Sequence, residues 1–579
     1  MQKRVRVLAV LLAAAVGVCV PVALAAVTGH DQSASKKVPP RLTASERALY
    51  TSITGDQGEW APQGTAIIDS GFQPQVDGFS FINYSQNFRL NQLFYKQPRS
   101  LPPSGKAATP RKLSSQDMRL VFGDRVCADS SLSSNGPASC TLTESAATVL
   151  GLANQWGDIG HCSAMTTAAA GLFNSWVTPG AIGAAQVTAD TGLNPRVQRA
   201  FGRLTMAAHF STFGFRQESM TDFIGALGKT LPRGRIVHSL ILEGTPGGHA
   251  VLPLGVLDQG GGRFDIAIYD PNIPNKVRAI HVDTAANSWR YQGTTIPGTT
   301  PLVWSSQDSE HPAKIYLGII DTLFGLQPCV FCRDDGRQSP GETRTFVTFS
   351  PVQRVNASLF DSLTLTDLAG QPLDPALYQI IPPLDSALSN YVSGPSLYVD
   401  VDASFILRFT GKGVRVSEPF TITAIRPGET RTIKISALSR DLETAVELDV
   451  GTAKTRVTGA PVKSVIATQT LETDQASYRF TATQRVRDGQ GTLSLQLPQK
   501  SFYAVVQGRP GQSAPFDIAL QSLAKSQTKY RAENVAIPRR SQLLIDYRGW
   551  HGRRGKPHLW LDLRADGVPD REIPLKLMT

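Results

Sequence analysis

Apolar positions in the first half of this chain recur mainly at helical spacing, with one strong block at strand spacing. In the second half strand spacing takes over. Behind Cys162, Met165, Ala168, Ala169, Leu172, Phe173 and Trp176 keep the three-and-four rhythm of one buried helical face. Thr143 stands as a cap before ESAATVLGLANQW, with Glu144 in its favourable first turn. Ser115-Gln116-Asp117 caps a shorter helix running through Met118, Leu120 and Val121 toward Phe122, and residues 181–232 read as helix broken by glycines. Val76–Ser85 alternates as a strand does, and the Pro-rich stretch Gln97–Lys112 reads as a loop. Arg235–Glu243 predicts a strand. A hairpin follows, with arms Gly247–Leu257 and Arg263–Asn272 around the turn Asp258–Gly262. Pro253 lacks an N–H, so its arm needs an edge or a bulge there.

Near residue 326 the rhythm changes. Beyond it lie short Val/Ile/Leu/Thr runs punctuated by Gly and Pro, with few helical patterns. Pro340-Gly341-Glu342-Thr343-Arg344-Thr345 returns as Pro427-Gly428-Glu429-Thr430-Arg431-Thr432, an offset of 87 residues that matches one β-sandwich. At 579 residues the chain is too long for one core. The expected plan is a leader at 1–26, a flexible tether at 27–60 and an α+β domain at 61–325. A linker carrying a CxxC follows at 326–339, then all-β, immunoglobulin-like sandwich modules at 340–439 and 440–579.

Composition adds a compartment. Lys3, Arg4 and Arg6 precede an Ala/Val/Leu run that ends in the small-x-small site Ala23-Leu24-Ala25, the pattern of an export signal. Cys19 follows Val18, a poor lipoprotein box, so no lipid anchor is read. The run is roughly 20 residues long, which leaves an uncleaved signal anchor as the alternative; no other stretch is long and apolar enough to span a bilayer. Either way the body is expected outside the cytoplasm, secreted or at the cell surface. Losing the three leader cations takes the formal charge from +11 to +8. That mild excess suits an anionic cell-surface polymer as partner and does not argue for nucleic acid.

In an oxidising compartment Cys127 and Cys140, which enclose ADSSLSSNGPAS, predict a local disulfide. Cys329 and Cys332 predict a second, because no other CxxC or His pair completes a zinc set. Asp562, Asp566, Gly567 and Asp570 have the outline of a calcium loop, but Arg564 stands where an acid is needed, so the segment reads as a turn. Residues 538–556 interleave arginines with Tyr547 and Trp550 and read as a solvated strand pair. No metal or cofactor is expected.

Pairing four cysteines leaves Cys162, at the point where a turn becomes a helix. Unpaired N–H groups and the positive end of the helix dipole favour the thiolate there. A cysteine nucleophile needs a base, and the base needs an orienting group. His249 enters the hairpin. Antiparallel pairing about residue 260 sets it opposite residue 271, between Asp270 and Asn272. Asp270 is preferred, since it ends the covered alternation Phe264, Ile266, Ile268, where an acid is costly unless paired. Gln155 is the candidate side-chain oxyanion donor, with Asn154 as fallback, beside the backbone N–H of Cys162. His161, His209, His238 and His281 read as structural.

The sequence GHCSAM opening a helix, GGHAV entering a strand and IYDPN ending the next resemble the papain-like cysteine peptidase fold. The likeness is to secreted bacterial proteins with a G-x-C-x-G-M motif and an H-A-V strand, similar to double-glycine leader peptidase-type domains, and covers about residues 70–320. DMRLVFGDRVCA and CTLTESA are also typical of that group. The family order Cys, His, Asp/Asn falls on Cys162, His249 and Asp270 or Asn272. Ala164 departs from the usual glycine. The resemblance implies an α+β papain-like domain and an exported cysteine hydrolase, a peptidase or amidase working through an acyl-enzyme. Its substrate would be a protein, a peptide or a cell-wall peptide. Two other readings stand beside it: a non-catalytic surface binding or adhesion protein on the same scaffold, and a transamidating acyltransferase.

Overall fold

The computed structural model describes residues 60–578 apart from 85–111, 129–138, 158–159, 211–214, 232–233, 245–246, 294–301, 310–311, 333–343, 351, 354–359, 361, 385–390, 393, 401, 411–418, 437–442, 460–463, 473–476, 486–490, 497–502, 509–514, 524–526, 539 and 551–553. The expected leader, all of the expected tether but Trp60, and nearly all of the loop Gln97–Lys112 lie outside the described residues. No helix among the described residues is long and apolar enough to cross a membrane.

Five helices of eight or more residues are present among them: α1 (Ser115–Phe122), α2 (Glu144–Gly157), α3 (Cys162–Phe173), α4 (Pro195–Phe210) and α5 (Met220–Thr230). Their starts follow local chemistry. The Thr143 hydroxyl accepts the Ala146 N–H at 3.2 Å before α2, and Ser219 accepts the Asp222 N–H before α5. The cap of α1 is Ser114, one residue before the expected trio. Its N–H donates to Asp117, and the buried Asp117 carboxylate also takes Arg199 and Arg203 of α4. That pairing offsets the cost of burying the charge and fixes α1 on α4.

Helix α3 differs from its expectation. It is buried from Cys162 to Gly171 on every side, not along one face. The reason is size: Ser163, Ala164, Ala168, Ala169, Ala170 and Gly171 let neighbours close in all round. At Gly171 a Cβ would lie 2.2 Å from the Phe324 ring. Val76–Ser85 also differs. Pro74 opens a single helical turn, Pro74–Asp77, and the described residues after it form no strand.

One antiparallel sheet backs the helices. Its strands are β1 (Thr65–Asp69), β2 (His238–Gly244), β3 (Gly247–Gly260), β4 (Arg263–Tyr269), β5 (Val277–Asp283), β6 (Ser288–Gly293), β7 (Leu302–Ser305) and β8 (Lys314–Ile319), in the order β7-β6-β5-β4-β3-β2-β8. The expected hairpin is β3–β4. It turns at Gly261-Gly262, both at positive φ, and a bulge between Pro253 and Gly255 accommodates the missing N–H. The far half of β3 also carries β1, and its near half pairs with β2. The long strand therefore joins two sheet segments, and His249 lies on the near one.

Cys127–Cys140 and Cys329–Cys332 are disulfides. The second is no spacer. Cys329, Val330, Phe331 and Cys332 are buried in the core of the first half, with the Phe331 ring 4.9 Å from that of Phe122.

Beyond residue 343 the chain forms two large antiparallel sheets, of ten and nine strands, around one shared core. Hairpins are laid on them alternately. Phe420–Arg426 with Glu429–Ile435 joins the first sheet, Glu443–Asp449 with Lys454–Gly459 the second, and Ser464–Glu472 with Ser477–Arg485 the first again. Both sheets cross the joint expected at 439/440, since Glu429–Ile435 pairs with Ser464–Glu472 and Phe405–Thr410 with Glu443–Asp449. This half is one continuous two-layer body, not two modules in series.

The second copy of the hexapeptide makes a hairpin turn with Gly428 at φ +70, followed by a buried ion pair. Arg431 holds Glu429 by two N–H donors, at 2.8 and 3.2 Å, and Arg426 and Gln469 add their own bonds. Burial raises the Glu429 pKa, but these neighbours outweigh it and hold the carboxyl below its ordinary range. Removing Arg431 takes away the two-pronged partner and leaves the buried carboxylate to Arg426 and Gln469. Arg431→Leu is therefore expected to cost about 3–5 kcal/mol at neutral pH, read as a lower urea midpoint. A depressed carboxyl pKa stabilises above the unfolded value and loses that contribution in acid. The gap between wild type and variant should accordingly narrow as the pH falls through and below about 4.3.

Candidate active site

Cys162 is the first residue of α3 and lies wholly buried, outside any disulfide. The first bond within the helix runs from the Met165 N–H to the His161 carbonyl, so the N–H groups of the opening turn sit at the sulfur's end of the helix. The Ala250 N–H, on β3, points at Sγ from 3.4 Å. Both features favour negative charge on sulfur.

His249 precedes Ala250 in β3 and pairs across the sheet with Leu242 of β2. Its Nε2 lies 2.9 Å from Asp270 Oδ1, both side chains being fully buried. The two residues meet just past the end of the hairpin ladder, whose last pair is Leu252 with Tyr269. Asp270, not Asn272, is the residue whose side chain bonds His249. The Asn272 backbone N–H donates to Asp270 Oδ1 at 2.7 Å, and the Tyr291 hydroxyl donates to Oδ2 at 2.5 Å. With Nε2 engaged by Asp270, Nδ1 is the buried ring nitrogen that remains, and Cys162 is among the groups that raise the His249 pKa. Burial alone would lower the His249 pKa. Asp270, by charge and hydrogen bond, and then Cys162 outweigh it and raise the value well above the ordinary imidazole range. For Asp270 burial works upward, yet His249, Tyr291 and the Asn272 N–H carry it below the carboxylate norm.

Aromatic rings seal the pair. Trp304 of β7 is fully buried and nearly parallel to the His249 ring at 5.8 Å, and the Tyr291 ring of β6 is in turn nearly parallel to that of Trp304 at 6.0 Å. Neither was expected from the sequence; their strands follow the hairpin, and nothing in local spacing marks them. Asn83 is a third addition. Its backbone N–H donates to the Pro271 carbonyl and its side-chain Oδ1 accepts the His161 N–H, so one buried residue spans the residue after Asp270 and the residue before Cys162. It lies in the segment read as a strand, where its polarity was the only signal.

The oxyanion candidates are not brought to the nucleophile. Gln155 is exposed on α2, and no hydrogen bond joins it to Cys162 or His249 among the described residues. Asn154 is engaged with the backbone of Leu113 at both ends of its amide. The helical phase of α2 turns both away, whereas Asn83 stands beside the start of α3.

The other histidines are structural. His161 packs on Tyr84 at 4.7 Å and His209 stacks on Trp156 at 3.8 Å; burial lowers each pKa to about 3. His238 is half-buried, with its pKa lowered chiefly by burial, and His281 bonds Asp265 at 2.7 Å on the outer side of the sheet. In the turn near the C-terminus, Asp562 accepts backbone N–H groups of Arg564, Asp566 and Gly567, Asp570 accepts that of Leu563, and Arg564 pairs with Asp566 and Asp570.

No protein-family model, no curated protein and no solved structure matches this chain.

The coupling between His249 and Asp270 predicts a measurable titration. With Asp270 present the imidazolium persists from pH 6 to 8. In Asp270→Asn the burial effect dominates and the ring becomes neutral within that range. NMR of histidine labelled at ¹³Cε1, with His249 assigned by substitution, reads this directly. An unchanged His249 resonance in the variant would contradict the assignment.

Proposed function

We propose that this chain is an exported cysteine hydrolase of the papain-like type, acting on a peptide or amide bond. The observation that carries the reading is the buried Cys162–His249–Asp270 relay. Asp270, itself held by the Tyr291 hydroxyl, engages Nε2 of His249 and leaves Nδ1 for the proton transfer, and the Ala250 N–H and the start of α3 favour the thiolate. Such an arrangement suits acyl transfer. The Cys162 thiolate attacks the carbonyl carbon, His249 delivers its proton to the departing nitrogen, and water activated by His249 releases the acyl group. The backbone N–H of Cys162, at the start of α3, is the donor proposed to hold the developing oxyanion. The two-layer β half would serve as a platform for substrate or cell surface, and the disulfides suit an extracytoplasmic site. A second reading, a non-catalytic binding scaffold, draws on the complete burial of Cys162.

Alkylation separates them. Leu384 lies over the sulfur, its carbonyl 3.5 Å from Sγ, so the test uses a chain carrying Pro383→Gly and Leu384→Gly to uncover it. Iodoacetamide is expected to label Cys162 in this chain already at pH 6, and at least about tenfold more slowly after His249→Ala, since the imidazolium holds the thiolate. Equal rates with and without His249 would overturn the catalytic reading.

A further inference from the structure

Cys162 is covered by the chain itself. The segment Ile381-Pro382-Pro383-Leu384, from the first sheet of the β half, enters the core of the first half, and all four residues are buried. Its main chain lies along the nucleophile and along the strand that bears the base. The Cys162 thiol donates to the Leu384 carbonyl oxygen at 3.5 Å. One residue earlier this strap runs over Gly248, the residue before His249. It passes so closely that a Cβ at Gly248 would lie 2.5 Å from the Pro383 carbonyl carbon, and closer still to its oxygen. A glycine inside a strand often marks a place where another backbone comes close, and here the other backbone is the strap.

Three features distinguish this from ordinary packing. Main chain, rather than a side-chain tip, meets both the sulfur and β3. Pro382 and Pro383 bring no N–H that the buried groove would have to satisfy, and each holds the residue before it extended, the form in which a peptide threads a cleft. The contact also acts on the sulfur. The Ala250 N–H points at Sγ and favours the thiolate, whereas a carbonyl oxygen accepts from S–H and repels negative charge, so the strap favours the thiol. The strap is anchored in turn, because Tyr378–Ile381 pairs with Ser396–Asp400 inside the sheet. A tethered occupant acts at an effective concentration of about a millimolar, so a dilute free peptide does not displace it.

We propose that Ile381-Pro382-Pro383-Leu384 is a resident occupant of the catalytic groove, which shuts Cys162 in the intact chain and has the form of the peptides that the groove accepts. This rests on the hydrolase reading above. A groove already shaped to one extended apolar main chain takes another of the same shape with little cost in reorganisation. Its ligand class is therefore an extended peptide in which prolines stand between two large aliphatic residues. Gly248 sets that class by admitting main chain beside His249. A side chain at this position closes the groove to the strap and to an external peptide alike. Withdrawal of the strap has two effects at once: it opens the groove, and it removes an acceptor that holds the sulfur as a thiol.

Wild type, Gly248→Ala and Pro383→Gly/Leu384→Gly are prepared as full chains, with and without His249→Ala, and circular dichroism checks their fold. Leu384→Ala stands in for the double variant should that chain not fold. Iodoacetamide labelling of Cys162 is followed with and without the blocked peptide acetyl-Ile-Pro-Pro-Leu-amide. Labelling of a covered thiol waits for local opening, so Cys162 is expected to label at least about tenfold faster in both variants than in wild type. The peptide is expected to slow labelling saturably in Pro383→Gly/Leu384→Gly and to leave Gly248→Ala unaffected, a difference that a merely loosened fold would not give. Wild type labelling as fast as the variants would overturn the strap as the cover, and so would slow labelling in every chain. Labelling of the double variant unmoved by the peptide would overturn the ligand class. Fast, peptide-protected labelling that does not depend on His249 would overturn the hydrolase reading alone and leave the strap as the occupant of a binding cleft.

Discussion

A buried charge pair, His249 with Asp270, constrains the rest of the first half. Taking two ions out of water costs several kcal/mol each, and their attraction repays this only if the remaining polar atoms are bonded. Here the repayment comes from three directions. The Asn272 N–H folds back from the end of β4, Tyr291 reaches across from β6, and Cys162 of α3 adds to the forces that keep the imidazole charged. Trp304 then closes the remaining face and keeps the local dielectric low, which strengthens each of these interactions. The sheet order β7-β6-β5-β4-β3 is what makes this convergence available, because it sets the aromatic strands beyond the hairpin that carries the pair.

The same site explains why α3 is so poor in large side chains. A nucleophile at a helix start needs the helix close to the strand carrying its base. The run of alanine, serine and glycine lets α3 sit deep against β3 on one side and α4 on the other. Asn83 reinforces the approach by linking Pro271 to His161.

The β half is not a loosely hung platform. Phe346, Ile381, Leu384, Tyr398 and Ile425 join the core of the first half, Tyr398 donates to the His209 carbonyl, and Glu472 accepts the Ser145 N–H at the start of α2. Shared core and helix-end bonding of this kind hold the two halves in one arrangement, so the strap over Cys162 belongs to the packed structure.

Much of this was legible in the sequence because it depends on short-range chemistry. The start of α3 at Cys162, the Thr143 cap, the β3–β4 hairpin with its bulge near Pro253, both disulfides and the meeting of His249 with Asp270 all follow from spacing within a few tens of residues. Local pattern could not decide what distant strands contribute. Tyr291 and Trp304 look like any strand aromatics until the sheet order brings them to His249. Gln155 looked apt by spacing but faces solvent, because helical phase rather than sequence distance sets its direction. Period-two runs reveal strands but not which of two sheets receives each hairpin, and so the division at 439/440 did not hold. Ile381-Pro382-Pro383-Leu384 shows only as a stiff apolar tetrapeptide, and its place over a sulfur more than two hundred residues away is a property of packing alone.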